Sequence, residues 1–150
     1  MAVHVLAVLA NSDGDCISST LLASSVNTNP VIIRRLLLAL QAARLVETRK
    51  GAGFGSRLSR PAARINLAEV FRAVETNEPF IFPHRRANGA CPVGHGMHAA
   101  LGRVFCSARD ALEQDLARTT LAAVLSAAKS QPLTPARTRR LAELIDGPPV

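Results

Sequence analysis

The chain has 150 residues, of which 48% are hydrophobic, and a formal net charge of +7. That length holds one compact domain with room for an appendage, and the apolar content excludes wholesale disorder. Aromatic residues are only 3%, with no Trp or Tyr, which argues against a platform for stacking single-stranded bases, whereas the charge favours a polyanionic partner.

Apolar runs are short and interrupted by charges, so no membrane partner or transmembrane helix is expected. The opening stretch has neither a basic lead nor a small-residue cleavage pattern, so no secretory signal is expected. The cysteines Cys16, Cys91 and Cys106 are too dispersed for a disulfide framework or a metal knuckle, which places the chain in a reducing cytoplasm.

In chain order, residues Ala2 to Ala10 form a short helix burying Val5, Leu6 and Leu9, stopped by the turn cluster from Asn11 to Asp15. Ser18 or Ser19 caps a second short helix through Leu21, Leu22 and Ala23. After a turn at Val26-Asn27, Asn29 suits the N-cap of a third helix and Pro30 its first position. This helix runs to about Ala43. Ile33, Leu36, Leu37 and Leu40 face a core, while Thr28, Arg34 and Arg35 stay near the surface. Three short helices with a tight turn between the second and third make a helix-turn-helix pattern. An ordinary amphipathic helix with solvated arginines is the plain alternative for the third.

Two short strand-like flanks follow, Leu45 to Lys50 and Ser56 to Arg60, joined by the glycine-rich tip Gly51-Ala52-Gly53-Phe54-Gly55. A hairpin directly behind a helix-turn-helix is a wing, and its cations Arg49, Lys50 and Arg57 suit phosphates or a minor groove. The glycines do not form a nucleotide-cradling loop: the lysine–serine signature is missing, no helix opens there, and Pro61 closes the segment.

Ile65 to Val74 is an amphipathic helix with Leu67, Val70, Phe71 and Val74 on its buried side. An irregular link between Pro79 and Pro83 extends through His84, Arg85 and Arg86. A long helix starts at Cys91-Pro92, with the stripe Met97, Leu101, Val104, Phe105, Ala108, Leu112 and Leu116. A stripe this long needs a partner, and a second copy of the same helix supplies one as a two-fold homodimer. Thr119 caps a further helix through Leu121, Val124 and Leu125. After a linker at Ser130-Gln131-Pro132, Thr134 and Pro135 open a short basic helix from Ala136 to Ile145.

The fold class is therefore mainly α with a small β-wing: a winged helix-turn-helix plus a long dimerisation helix. The expected divisions are a DNA-binding domain at 1–78, a linker at 79–90, the dimerisation helix and its following short helix at 91–129, and a linker with a basic helix at 130–150.

With these elements in hand, the sequence resembles the Rrf-two family of bacterial winged-helix regulators. The resemblance lies in SVNTNPVIIRRLL (Ser25 to Leu37), RKGAGFGSRLSRP (Arg49 to Pro61), INLAEVFRAVE (Ile65 to Glu75), CPVG (Cys91 to Gly94) and RTTLAAV (Arg118 to Val124). It covers about residues 1 to 128. It implies a dimeric transcription factor, a repressor, bound to double-stranded DNA at a pseudo-palindromic operator. Thr28, Asn29, Arg34 and Arg35 would enter the major groove, and Arg49, Lys50, Gly51 and Arg57 would lie at backbone or minor groove. Met97, Leu101, Val104, Phe105, Leu112 and Leu116 would form the dimer contact.

The sequence departs from the family pattern in three places. Members usually begin several residues earlier, so a phosphate contact is missing at this end or the start lies upstream. Lys50 stands where arginine is common, and Phe54 interrupts the glycine run; an ammonium approaches phosphate but lacks the arginine fork. Cluster-binding members place three cysteines about six residues apart ahead of the long helix. Here Cys91 is followed by Met97 and Arg103, so no iron–sulfur cluster and no other cofactor is expected.

Cys91 sits at a helix N-terminus, where free N–H groups and the dipole favour a thiolate, and His95 lies one turn on. The pair is a candidate redox sensor; a small capping residue without a switching role is the alternative. His84, Cys91, His95 and His98 lack a second soft ligand, so no metal is expected. No nucleophile–base–orienter set is present, so no enzyme is expected. A winged helix serving as a protein- or RNA-binding adaptor is the competing function. The effector and the operator sequence are not legible in these residues.

Overall fold

The computed structural model describes residues 1–12, 14–49, 51, 54–75 and 92–130, with backbone alone at 92–96, 98 and 99. Lys50, Cys91, His84, the link before Cys91 and the expected tail helix lie outside the described residues, as does the side chain of His95.

The N-terminal half is α1 (Ala2–Ala10), α2 (Ser19–Val26), α3 (Pro30–Ala42), the strands β1 (Val46–Arg49) and β2 (Gly55–Leu58), and α4 (Leu67–Val74). Their buried faces meet in one core: Val5, Leu6 and Leu9 of α1, Leu22 of α2, Ile33, Leu37 and Leu40 of α3, Leu45 and Val46 at the hairpin, and Ile65 and Val70 at α4. Leu36 is half-buried at the margin of that core, one step off the line set by Ile33, Leu37 and Leu40.

Each helix start is chemically specified. Ser18 accepts from the Leu21 N–H to open α2, and Asn29 accepts from the Val31 N–H at 2.8 Å, with Pro30 next, to open α3. At α4 the boundary differs from the expected start at Ile65. Asn66 and Glu69 form a reciprocal capping box, so the helix opens at Leu67 and Ile65 is left fully buried just before it. Its buried side also shifts: Ala68 and Val70 are buried, whereas Leu67 and Phe71 are only half-buried.

The hairpin is antiparallel, in register Val46↔Leu58, Glu47↔Arg57, Thr48↔Ser56 and Arg49↔Gly55. It is fastened to the helices at both ends. Near its tip, Ile17 and Ser56 exchange two backbone hydrogen bonds of 2.9 Å, so the segment before α2 acts as a one-residue third strand. At its base, Arg44 takes a positive φ of 57° after α3, and the Ser59 hydroxyl donates to the Arg44 carbonyl at 2.6 Å. That anchor ends β2 at Leu58, short of the expected Arg60.

The C-terminal half returns to this core. Helix α5 (Pro92–Arg118) lies against α4, where the Arg72 guanidinium donates to Glu113 at 2.7 Å. That hydrogen bond, more than the nearby Arg109, holds the half-buried Glu113 carboxyl below its ordinary pKa. The pairing therefore contributes above the carboxylate range and fades on acidification through it. Helix α6 (Leu121–Lys129) is capped by Thr120, not by the expected Thr119. Thr120 is extended and its hydroxyl accepts from the Ala123 N–H, while the Thr119 N–H is already turned back to Leu116. A backbone bridge then ties this junction to α4: Leu67 N–H donates to Thr119 at 2.9 Å, and Leu121 N–H to Ile65 at 2.8 Å. Leu121 is fully buried in the head, a burial contributing about 2 kcal/mol. Helix α6 thus completes the head's core although it follows the long helix in sequence. Among the described residues no helix is long and apolar enough to cross a membrane.

Gly55 is the tightest point of the hairpin's attachment. Its φ is +144°, and a Cβ there would lie 2.9 Å from backbone atoms of Cys16 and Ile17. Gly55→Ala is expected to lower unfolding stability by about 2 kcal/mol or more, measured by urea denaturation. An unchanged midpoint would show that the bridge to Ile17 yields freely.

Candidate nucleic-acid interface

The turn from α2 into α3 is built from polar backbone bonds. Asn27 adopts the left-handed conformation, φ 56° and ψ 58°, which Asn tolerates better than most residues. The Thr28 N–H then donates to Ala23 at 2.9 Å, which aims the next residues outward as the start of α3. Thr28 is half-buried in this turn. Asn29 is exposed, but its carbonyl oxygen is committed to the cap, so its side-chain amide N–H₂ is the group left to meet a partner.

Arg34 and Arg35 are both exposed on α3, and neither has a carboxylate partner among the described residues. Arg34 leans toward the start of α2, with its Nε 3.4 Å from the Ser19 hydroxyl. Arg49 is exposed at the end of β1, also without an ion pair among the described residues. Gly51 turns the tip with φ +85°, and its carbonyl accepts from the Phe54 N–H at 3.0 Å. Between α3 and the hairpin runs an open cleft of about 560 Å³, lined among others by Arg34, Leu38, Gln41, Thr48, Arg49 and Phe54. Its cations sit on both walls, which is the arrangement that attracts and straddles a phosphate chain.

Arg57 is placed differently from the free wing cation expected from the sequence. It lies opposite Glu47 in register and forms an ion pair with it, so much of its charge is answered within the hairpin. The sequence pattern offered this signal, because directly opposed residues of a short hairpin pair when oppositely charged.

The sequence reading passed over the apolar part of the surface. Val31, Ile32 and Leu38 of α3 are exposed at 48%, 47% and 67%, and Phe54 beside them at 67%. Helical spacing outward from Val31 would have found Leu38, since positions seven apart share a face.

On α5 the expected stripe is divided. Phe105, Ala108 and Leu116 are half-buried, whereas Met97, Leu101, Val104 and Leu112 stay exposed. Half of an apolar stripe is thus left uncovered by the chain's own head. The two described cysteines stand far apart in role: Cys16 is half-buried behind the hairpin, and Cys106 is exposed on α5. Among the described residues no group of three His, Cys, Asp or Glu side chains is arranged to hold a metal.

A helix-turn-helix followed at once by a fastened hairpin defines a winged-helix DNA-binding regulator. The comparisons narrow the class. The family model described as Rrf2, iron-dependent transcriptional regulator, matches residues 1–127, and the chain belongs to that family. It is 36% identical over 126 residues to YwnA of Bacillus subtilis (strain 168), whose name is that of an HTH-type transcriptional regulator; the match covers 84% of this chain and 92% of YwnA. A crystal structure titled as a DNA binding protein is 34% identical, with a TM-score of 0.66, covering 83% of this chain and 95% of that one. The T. potens IscR structure shares the fold at 22% identity and a TM-score of 0.63, covering 90% of this chain and 88% of that one.

Asn29→Ala is expected to cost about 1 kcal/mol of stability, and Asn29→Asp, which keeps the capping oxygen, to cost little. Paired urea titrations check this. Equal losses for the two would mean the cap contributes nothing.

Proposed function

We propose that this DNA-binding regulator is a homodimeric repressor, with α3 of each copy in a major groove and the wing beside it. The observation that carries this reading is the exposed Arg34 and Arg35 on α3, without carboxylate partners among the described residues, with Arg49 across the cleft. In this arrangement Thr28, Asn29, Arg34 and Arg35 meet bases or nearby phosphates. Arg49, Gly51 and Lys50 meet the backbone or the minor groove, while Arg57 serves chiefly to hold the hairpin through Glu47.

The exposed Met97, Leu101, Val104 and Leu112 on α5 support dimerisation through the same face of a second copy. A two-fold pair of heads calls for a pseudo-palindromic operator. Repression follows physically if such an operator overlaps a promoter, since an occupied duplex excludes polymerase. No catalysis is assigned to the chain.

The iron named in the family's description does not find a thiolate set in this chain. Met97 and Arg103, both exposed on α5, stand at the later positions of the expected cysteine series, and neither supplies a thiolate. We therefore assign no iron–sulfur cluster. The remaining candidate for regulation is Cys91, directly before Pro92, the first residue of α5. Free N–H groups at that terminus would favour its thiolate, and His95 follows one turn on. Peroxide would oxidise that thiolate to a sulfenic acid, altering the helix start that leads into the dimer contact.

Selection of duplexes from a random pool is expected to yield a two-fold-related sequence, with single half-sites binding more weakly. Arg34→Ala or Arg35→Ala should then lose about 1–3 kcal/mol on the selected duplex, if that arginine reads a base edge. Uniform loss over all sequences would reassign it to phosphate. Failure to enrich any sequence over a salt series would favour an adaptor for protein or RNA.

For the sensor, wild-type protein treated with peroxide should change its DNA affinity, and Cys91→Ser should not. If the serine variant responds as the wild type does, the switch is not at Cys91.

A further inference from the structure

The side of α3 facing away from the core sets exposed apolar side chains among arginines. Ile33, Leu37 and Leu40 define the buried line, and the line directly opposite, at helical spacing, is Val31, Arg35, Leu38 and Ala42. All four are exposed. Ile32 flanks them and is also exposed. The most outward line of the helix is therefore an arginine set among large apolar side chains, without an Asn, Gln, Glu or Ser pointing straight out. Water-facing Val31 and Ile32 in one turn and Leu38 two turns on leave apolar surface whose burial against an apolar partner would lower the free energy.

An occupant must satisfy two demands. It must be strongly anionic around the patch, because Arg34, Arg35 and Arg49 lie beside it without carboxylate partners among the described residues. It must also be apolar at isolated points along a line that a helix follows. Duplex DNA meets both in the major groove, where phosphates flank a floor whose prominent apolar groups are the C5-methyls of thymine. A protein partner with an apolar face would match the second demand but leave the arginines unanswered.

We infer that Val31 and Leu38, with Ile32 at their flank, read thymine C5-methyl groups, and that Arg35 between them makes the hydrogen-bonded base contact on this line. This rests on the DNA-bound reading above and adds to it the kind of base recognised. The half-site then carries thymines on either side of the position read by Arg35. A bidentate arginine prefers guanine there. Val31 and Leu38 are specificity-determining residues, and their contribution is apolar contact rather than hydrogen bonding.

The test uses the full chain and a duplex selected from a random pool. Each half-site thymine is replaced in turn by deoxyuridine, which keeps the pairing and removes only the methyl. Wild-type affinity should fall about fourfold for each methyl that is read, the effect of one buried methyl-sized group. Val31→Ser and Leu38→Ser should each bind thymine and deoxyuridine equally at the position that residue reads, while keeping discrimination at the other. Because both residues are exposed, thermal unfolding should be nearly unchanged in these variants.

Wild-type affinity indifferent to complete deoxyuridine substitution would overturn the inference, as would serine variants that keep full methyl discrimination. Variants that change the oligomeric state instead, with discrimination intact, would assign the stripe to a contact between chains and likewise overturn it. If no duplex is enriched at all, the DNA-bound reading itself falls. If one is enriched but ignores the methyls, only the inference falls.

Discussion

The short backbone bridge between Ile17 and Ser56 governs much of the head. It ties the segment before α2 to the wing by two backbone hydrogen bonds, joining the helix-turn-helix to the hairpin. The contact is possible because residue 55 has no side chain: a Cβ would collide with the backbone of Cys16 and Ile17. With the wing held there and at the Arg44–Ser59 anchor, Arg49 stands across a cleft from Arg34. A wing on a free hinge would carry the same charges, but ordering it on binding would cost conformational entropy.

The described arginines divide by partner. Arg57, Arg60 and Arg72 are paired with Glu47, Glu69 and Glu113 across elements of the fold, and Arg109 with Glu113 within α5. Exposed pairs of this kind contribute little stability each, but they remove cations from competition for a phosphate chain. Arg34, Arg35 and Arg49 have no such partners among the described residues, and they surround the apolar outward line of α3. Cations and exposed apolar side chains thus lie beside one another on one surface; in the proposed reading the first draw any duplex and the second rank sequences.

The long helix links this surface to the rest of the chain. Arg72 and Glu113 hold α5 against α4, and the Asn66–Thr120 bridge brings the chain back so that Leu121 fills the head's core. The α5–α6 junction is thus joined to the start of α4 by backbone bonds, and α5 to α4 by a side-chain ion pair.

Much of this was legible in the sequence, where local chemistry decides. Asn29-Pro30 marks a helix start whatever surrounds it, Ser18 can cap, and the apolar spacing of Ile33, Leu37 and Leu40 fixes which way α3 faces. The glycine-rich tip between two short strands likewise specifies a hairpin, and the run from Ser25 to Glu75 carries the family resemblance that the comparisons bear out. Only the tertiary structure decided what depends on neighbours distant in sequence. Arg57 became a paired residue because the register sets it opposite Glu47. The cap of α6 moved from Thr119 to Thr120 because the bridge to Asn66 needs an extended residue there. Leu121 joined the head because the chain doubles back after α5, and Leu38 stayed exposed because among the described residues no other element covers that side of α3. Periodicity gives a side chain's direction from its own helix axis, but only the packed chain determines whether protein or solvent stands in that direction.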